Sequence, residues 1–159
     1  MKRKKTVMKD RARTSVPGDE CLTILSVSPF EEDHARLQAI IGSLSKFVSA
    51  QNFSTAKRFL ESQNVSLVIC ERDSPPTTWI ECLDLSGLYS VPADPPFLIV
   101  TSRLADERLW AEVLNLGGWD VLAKPFDDCE VLRTVRSTME RYRYSGEVMA
   151  KPLGLIAAG

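Results

Sequence analysis

Histidine is almost missing from this chain: His34 alone among 159 residues. No cysteine or second histidine lies near it, and the four cysteines, Cys21, Cys70, Cys82 and Cys129, form no C-x-x-C pair. A zinc site therefore has no ligand set, and Cys70, inside an apolar run, reads as a small buried hydrophobe. A G-x-S-x-G elbow and a glycine-rich phosphate loop are also absent, which argues against an enzyme. Charge of one sign is lacking: 20 basic against 21 acidic residues leave a net charge of -1. The whole molecule thus gives no electrostatic case for nucleic acid or an acidic membrane. Residues 1–13 have no apolar stretch of signal-peptide type, and no run is long enough to cross a bilayer. The expectation is a cytoplasmic domain that folds without disulfides and needs no cofactor.

What is present is an alternation of short β-rich runs with helical patterns. Residues 1–20 read as a disordered basic tail, ended by Pro17-Gly18. Leu22 to Val27 is a first strand. Residues 30–45 follow with Ala35, Leu37, Ile40, Ile41 and Leu44 at helical spacing. Phe47 to Ala50 is a second strand, and Ser54 is placed to cap a helix reaching Gln63. The continuous apolar run Leu67-Val68-Ile69-Cys70 suits a strand covered on both faces. Trp79 to Leu88 forms a helix, and a Pro-rich stretch from Pro92 to Pro96 is a loop. Phe97 to Val100, a helix over 105–116 ended by Gly117-Gly118, Val121 to Ala123 and a helix over 127–143 complete the series. Asp127 with Glu130 makes the D-x-x-E start of the last helix. Residues 144–159 read as a C-terminal tail, with no room for a helix-turn-helix after 143. Five strands alternating with five helices over residues 21–143 specify an α/β fold, a doubly wound parallel sheet with its site at the carboxyl ends of the strands.

The tetrapeptide Ala123-Lys124-Pro125-Phe126, after the last strand, resembles the lysine-proline-aromatic turn of response-regulator receiver domains. The resemblance spans roughly residues 22–143 and implies a flavodoxin-like sheet of order 2-1-3-4-5. It also implies two-component or phosphorelay signalling, with partners such as a sensor kinase or an output module, or a second copy in a homodimer. In that family two acids end strand one and hold Mg²⁺, an aspartate ending strand three accepts a phosphoryl group, and a Thr or Ser and a Lys contact that group. Thr101 and Lys124 match the last two. The proline of Glu71-Arg72-Asp73-Ser74-Pro75 sets the register that puts Glu71 at the acceptor position. Ser28 and Pro29 stand where the acidic pair would be.

Several expectations follow from these departures. Proline offers a metal no side-chain ligand and serine only a neutral one, whereas Mg²⁺ wants near-octahedral oxygens at about 2.0–2.1 Å. Glutamate is longer than aspartate by about 1.5 Å, one carbon–carbon bond, and attack geometry is sensitive at about 1 Å. The pocket is expected to hold one glutamate opposite Lys124 and no other anion, so Mg²⁺ binding is absent or weak and Glu71 takes no phosphate. Glu71 then reads either as a fixed partner of Lys124, a partial mimic of the phosphoryl charge, or as a polar residue at the cleft rim. Ser28-Pro29-Phe30-Glu31 reads as a helix start, with Ser28 as the cap. The family's switch aromatic is replaced by Val121. Trp110 is expected in the core and Trp119 partly exposed; with Val121 they mark the candidate partner face. The leading function is an atypical receiver-like domain acting by protein contact. The alternatives are a conventional Mg²⁺-dependent receiver using Glu31, Glu32 or Asp33, and a small phosphatase or hydrolase using Glu71 and Asp73.

Overall fold

The computed structural model describes residues 21–73, 78–89 and 95–150, without the side chains of 85–89 and 145–150. The two terminal tails up to residue 20 and from 151, Pro75-Pro76 and most of the Pro92–Pro96 loop lie outside this range. Five parallel strands form one sheet of order β2-β1-β3-β4-β5. They are β1 (Thr23–Val27), β2 (Lys46–Ala50), β3 (Leu67–Glu71), β4 (Phe97–Ser102) and β5 (Asp120–Ala123). The helices are α1 (Glu31–Ile41), α2 (Phe53–Ser62), α3 (Thr78–Tyr89), α4 (Glu107–Asn115) and α5 (Asp128–Ala150).

Side-chain alternation along the buried strands supplies both faces of the sheet at once. Leu25, Val27, Val68, Cys70, Leu98 and Val100 point to one side, where Ala56, Leu60, Trp79, Cys82, Leu109 and Val113 of α2, α3 and α4 cover them. Ile24, Ile69, Ile99 and Leu122 point to the other, against Leu37 and Ile41 of α1 and Val131, Val135 and Met139 of α5. The doubly wound arrangement expected from the alternating pattern is the one observed.

Helix ends differ from the sequence reading in instructive ways. The cap of α2 is Asn52, whose side chain accepts from the Thr55 N–H at 2.9 Å; Ser54 lies inside the helix. Asp106 caps α4 by accepting from the Leu109 N–H at 3.0 Å. That helix stops at Gly117, whose φ of 105° only glycine adopts without strain. Gly118 follows, its α-carbon so close to Val113 that an added Cβ would collide with that side chain. Asp127 accepts from the Glu130 N–H at 2.9 Å as the D-x-x-E pattern requires. The last helix does not end at 143: α5 runs on to Ala150, so the segment read as a tail from 144 is helical for its first seven residues. Arg141, Tyr142, Arg143 and Tyr144 carry no breaker, and Gly146 by itself is too weak to stop an established helix. On α1, Ala35 is exposed rather than inward; the buried stripe is Asp33, His34, Leu37 and Ile41.

Candidate functional site

Parallel register brings the carboxyl ends of β1, β3, β4 and β5 to one edge. Glu71 pairs with Thr101 across β3–β4, and Ser102 with Ala123 across β4–β5. Backbone bonds carry the order one residue further: Lys124 N–H donates to the Ser102 carbonyl at 3.0 Å, and Arg72 N–H to the Thr101 carbonyl at 2.8 Å. Glu71, Thr101 and Lys124, separated by up to 53 positions in sequence (124 less 71), thus converge.

Glu71 is 1% exposed. Its Oε1 lies 2.6 Å from Lys124 Nζ and accepts the Thr101 hydroxyl at 3.1 Å. Its Oε2 accepts the Asp73 N–H at 3.0 Å. The glutamate is therefore the hub of the pocket, not a residue at its rim. Asp73 itself sits past the strand end, exposed, with its carboxylate toward Arg72. It does not share the pocket with Glu71.

The expectation that no other anion stands opposite Lys124 is overturned. Asp33 Oδ2 is 2.9 Å from Lys124 Nζ and accepts the Ser28 hydroxyl at 2.7 Å. The helix α1 begins at Glu31, so Asp33 falls in its first turn, where a side chain leans back toward the helix N-terminus and the strand ends. A signal for this was in the chain: stepping the buried stripe of Ile41 and Leu37 back by four lands on Asp33. Glu31 and Glu32, the other two acids of the turn, are exposed. Ser28 does not cap α1; Phe30 occupies that position, without a side-chain cap bond. Ser28 Oγ instead accepts the Phe30 N–H at 3.0 Å while donating to Asp33, which holds the carboxylate in place. Pro29 contributes no donor or acceptor side chain here, as its chemistry dictates.

His34 braces the same turn from below. Its Nε2 lies 2.9 Å from the Ser28 carbonyl, and its Nδ1 2.9 Å from Ser26 Oγ. A carbonyl only accepts, so in the neutral ring Nε2 carries the proton and Nδ1 accepts the Ser26 hydroxyl. The single histidine is structural.

Lys124 feels opposing influences. Burial favours its neutral form, but hydrogen bonds to Glu71 and Asp33, and the charges of both, outweigh it and hold the ammonium above its ordinary value. Its side chain is 9% exposed and Nζ lies 5.0 Å from the centroid of the Phe30 ring. The donor set suits a divalent cation poorly. Of the four carboxylate oxygens of Asp33 and Glu71, three are already engaged by protein donors, leaving Asp33 Oδ1. A cation seated on these carboxylates would have to compete with Lys124 and with the hydroxyl and N–H donors that already hold them. Among the described residues, no group of three or more histidine, cysteine or acidic side chains could hold a metal.

Of the two tryptophans on the neighbouring face, Trp119 is partly exposed as expected and Trp110 departs from expectation. Trp110 is not in the core: it is 50% exposed on α4, with Nε1 donating to Asp120 at 3.3 Å. It lies one residue past the buried Leu109, so helical rotation carries it off the packed stripe and toward Asp120 at the start of β5. Trp119, 38% exposed, stacks on Phe97 with centroids 4.5 Å apart. Val121 is buried and cannot form part of an accessible face.

No protein-family profile matches the chain, and no curated protein does either. Solved structures do. The signal receiver domain of a Luxo repressor protein from Vibrio parahaemolyticus superposes with a TM-score of 0.73 at 15% identity, covering 84% of this chain and 100% of that one. The signal receiver domain of an HD domain-containing protein from Pseudomonas fluorescens gives 0.66 at 26% identity, covering 79% and 99%. A CheY-like response-regulator receiver domain protein from Methanospirillum hungatei gives 0.68 at 14% identity, covering 80% and 100%. At such identities the likeness is one of architecture: this chain has the flavodoxin-like fold of response-regulator receiver domains.

Proposed function

We propose that this protein is a receiver-like signalling module that works by protein contact and not by phosphoryl transfer. The observation that carries the reading is the state of Lys124. Its ammonium is held by Glu71 at 2.6 Å and Asp33 at 2.9 Å, while Thr101 donates to Glu71. The lysine and the hydroxyl that contact a phosphoryl group in the resembling family are here engaged by the protein's own carboxylates. A phosphoryl group carries roughly -1.5 to -2 charge, and two ionised carboxylates facing one ammonium approximate that charge from within. An incoming phosphoryl donor would meet repulsion from both acids and gain no metal to offset it.

The module would then present one fixed surface to another signalling protein. Trp110 and Trp119 offer large, rigid side chains of the kind that anchor such contacts. The test is incubation of the full chain with acetyl phosphate, and separately with beryllofluoride, each with Mg²⁺, read by intact mass and by amide spectra. The expected result is an unchanged mass and an unchanged spectrum. A stoichiometric phosphoprotein overturns the reading and restores a conventional receiver; loss of that product in Asp33→Asn would mark Asp33 as the displaced ligand.

A further inference from the structure

Beside the Lys124 pocket, between the starts of α1 and α5, lies a cleft of about 450 Å³. Sites that take small organic molecules run from about 300 to 1,000 Å³ and combine apolar walls with a few convergent polar groups. Phe30, Pro125 and Phe126 supply its apolar lining, Phe126 from the edge of the core. The polar lining comprises Arg36, Arg103 and Lys124 against Glu32 and Asp33, a surplus of one positive charge.

The three cations are not equivalent. Lys124 is held by Glu71 and Asp33. Arg36 is held by Asp128 and by the Phe126 carbonyl. Arg103, exposed just after β4, makes no hydrogen bond or ion pair with any of the described residues. A guanidinium at the mouth of an aromatic-walled cleft has its forked donors free for a planar acid. The two acids of the lining narrow the choice of ligand. The two acids in the lining disfavour a compact dianion such as phosphate, whereas a flat ligand with one terminal charge can place it at Arg103.

We propose that this cleft binds a small planar aromatic monocarboxylate, its ring between Phe30 and Phe126 and its carboxylate on Arg103. The site needs neither Glu71 nor Thr101, so it stands or falls separately from the phosphorylation-free reading. Because Phe30 lies under Lys124 and directly precedes α1, an occupant would touch the segment that carries Asp33 into the pocket. Ligand occupancy would thereby reach Lys124, the counterpart of the lysine that contacts the phosphoryl group in the resembling family.

The probe is 2-naphthoate, titrated into the ¹⁵N-labelled full chain and compared with 2-naphthylmethanol, 2-naphthylmethylamine and inorganic phosphate. Saturable shifts around Phe30, Arg103 and Phe126 are expected for naphthoate. The neutral alcohol and the amine should bind roughly tenfold more weakly, as loss of one charge-assisted contact implies. Arg103→Gln, a change at an exposed side chain, should weaken naphthoate by a similar factor and leave the remaining spectrum intact. The proposal is overturned if naphthoate gives no saturable shifts up to about 5 mM, a concentration that would reveal even millimolar affinity. It is equally overturned if the amine or phosphate binds as well as naphthoate, or if Arg103→Gln binds it unchanged.

Discussion

Replacing Lys124 by methionine removes the ammonium from between two carboxylates and keeps most of the side-chain volume. Breaking a buried ion pair from one side costs about 3–5 kcal/mol, because the remaining charge is left in a poorly solvated place. The lower end applies here. Glu71 would retain the Thr101 hydroxyl and the Asp73 N–H, and Asp33 would retain the Ser28 hydroxyl. A loss of about 3 kcal/mol is expected for Lys124→Met. Glu71→Gln should cost about 1–3 kcal/mol: the amide oxygen still accepts from Thr101 and the lysine keeps Asp33, but the amide nitrogen cannot accept the Asp73 N–H. The double variant should fall short of additivity by about 2 kcal/mol, within the range seen for residues in direct contact. Urea unfolding followed by far-UV circular dichroism measures all three, provided the m-value stays constant. A coupling below about 0.5 kcal/mol would place the contact among ordinary solvent-screened ion pairs and refute the picture of Glu71 as a buried hub.

Stability should also depend on pH at the alkaline end. A raised Lys124 contributes stability that is complete below its unfolded value of 10.5 and is lost as pH climbs through the higher folded value; Lys124→Met should flatten that decline in a urea-midpoint profile. Trp119→Ala removes a stacked ring against Phe97 and should cost about 1–2 kcal/mol, visible as a lower urea midpoint. Trp110→Ala, at a half-exposed side chain, should change stability by less than about 0.5 kcal/mol and serves as the clean variant for partner-binding measurements. Gly118→Ala forces a methyl group into Val113 and should destabilise by about 1–3 kcal/mol, read as a drop in thermal midpoint.

The order of strands and helices was legible because each element carries its own period. Leu67-Val68-Ile69-Cys70 is short, apolar and rich in β-branched residues, which suits a strand covered on both sides, and Gly117 supplies the positive φ that ends a helix. Boundaries were less legible where two capping residues lie close together, as with Asn52 and Ser54. Trp110 misled for a different reason. Its size argues for burial, yet its position one residue past Leu109 turns it outward, and rotation about the helix axis decides against size.

By itself the amino-acid sequence determined the alternating architecture, the strand-end placement of Glu71, Thr101 and Lys124, and the lack of acids at Ser28 and Pro29. Only the tertiary structure decided that Asp33 fills the gap, 91 positions from the lysine it meets. Local periodicity says which residues share a face. It does not say how far a helix start leans over the end of a sheet, because packing of Leu37 and Ile41 against the strands sets that distance. The charge state of the pocket follows from that packing.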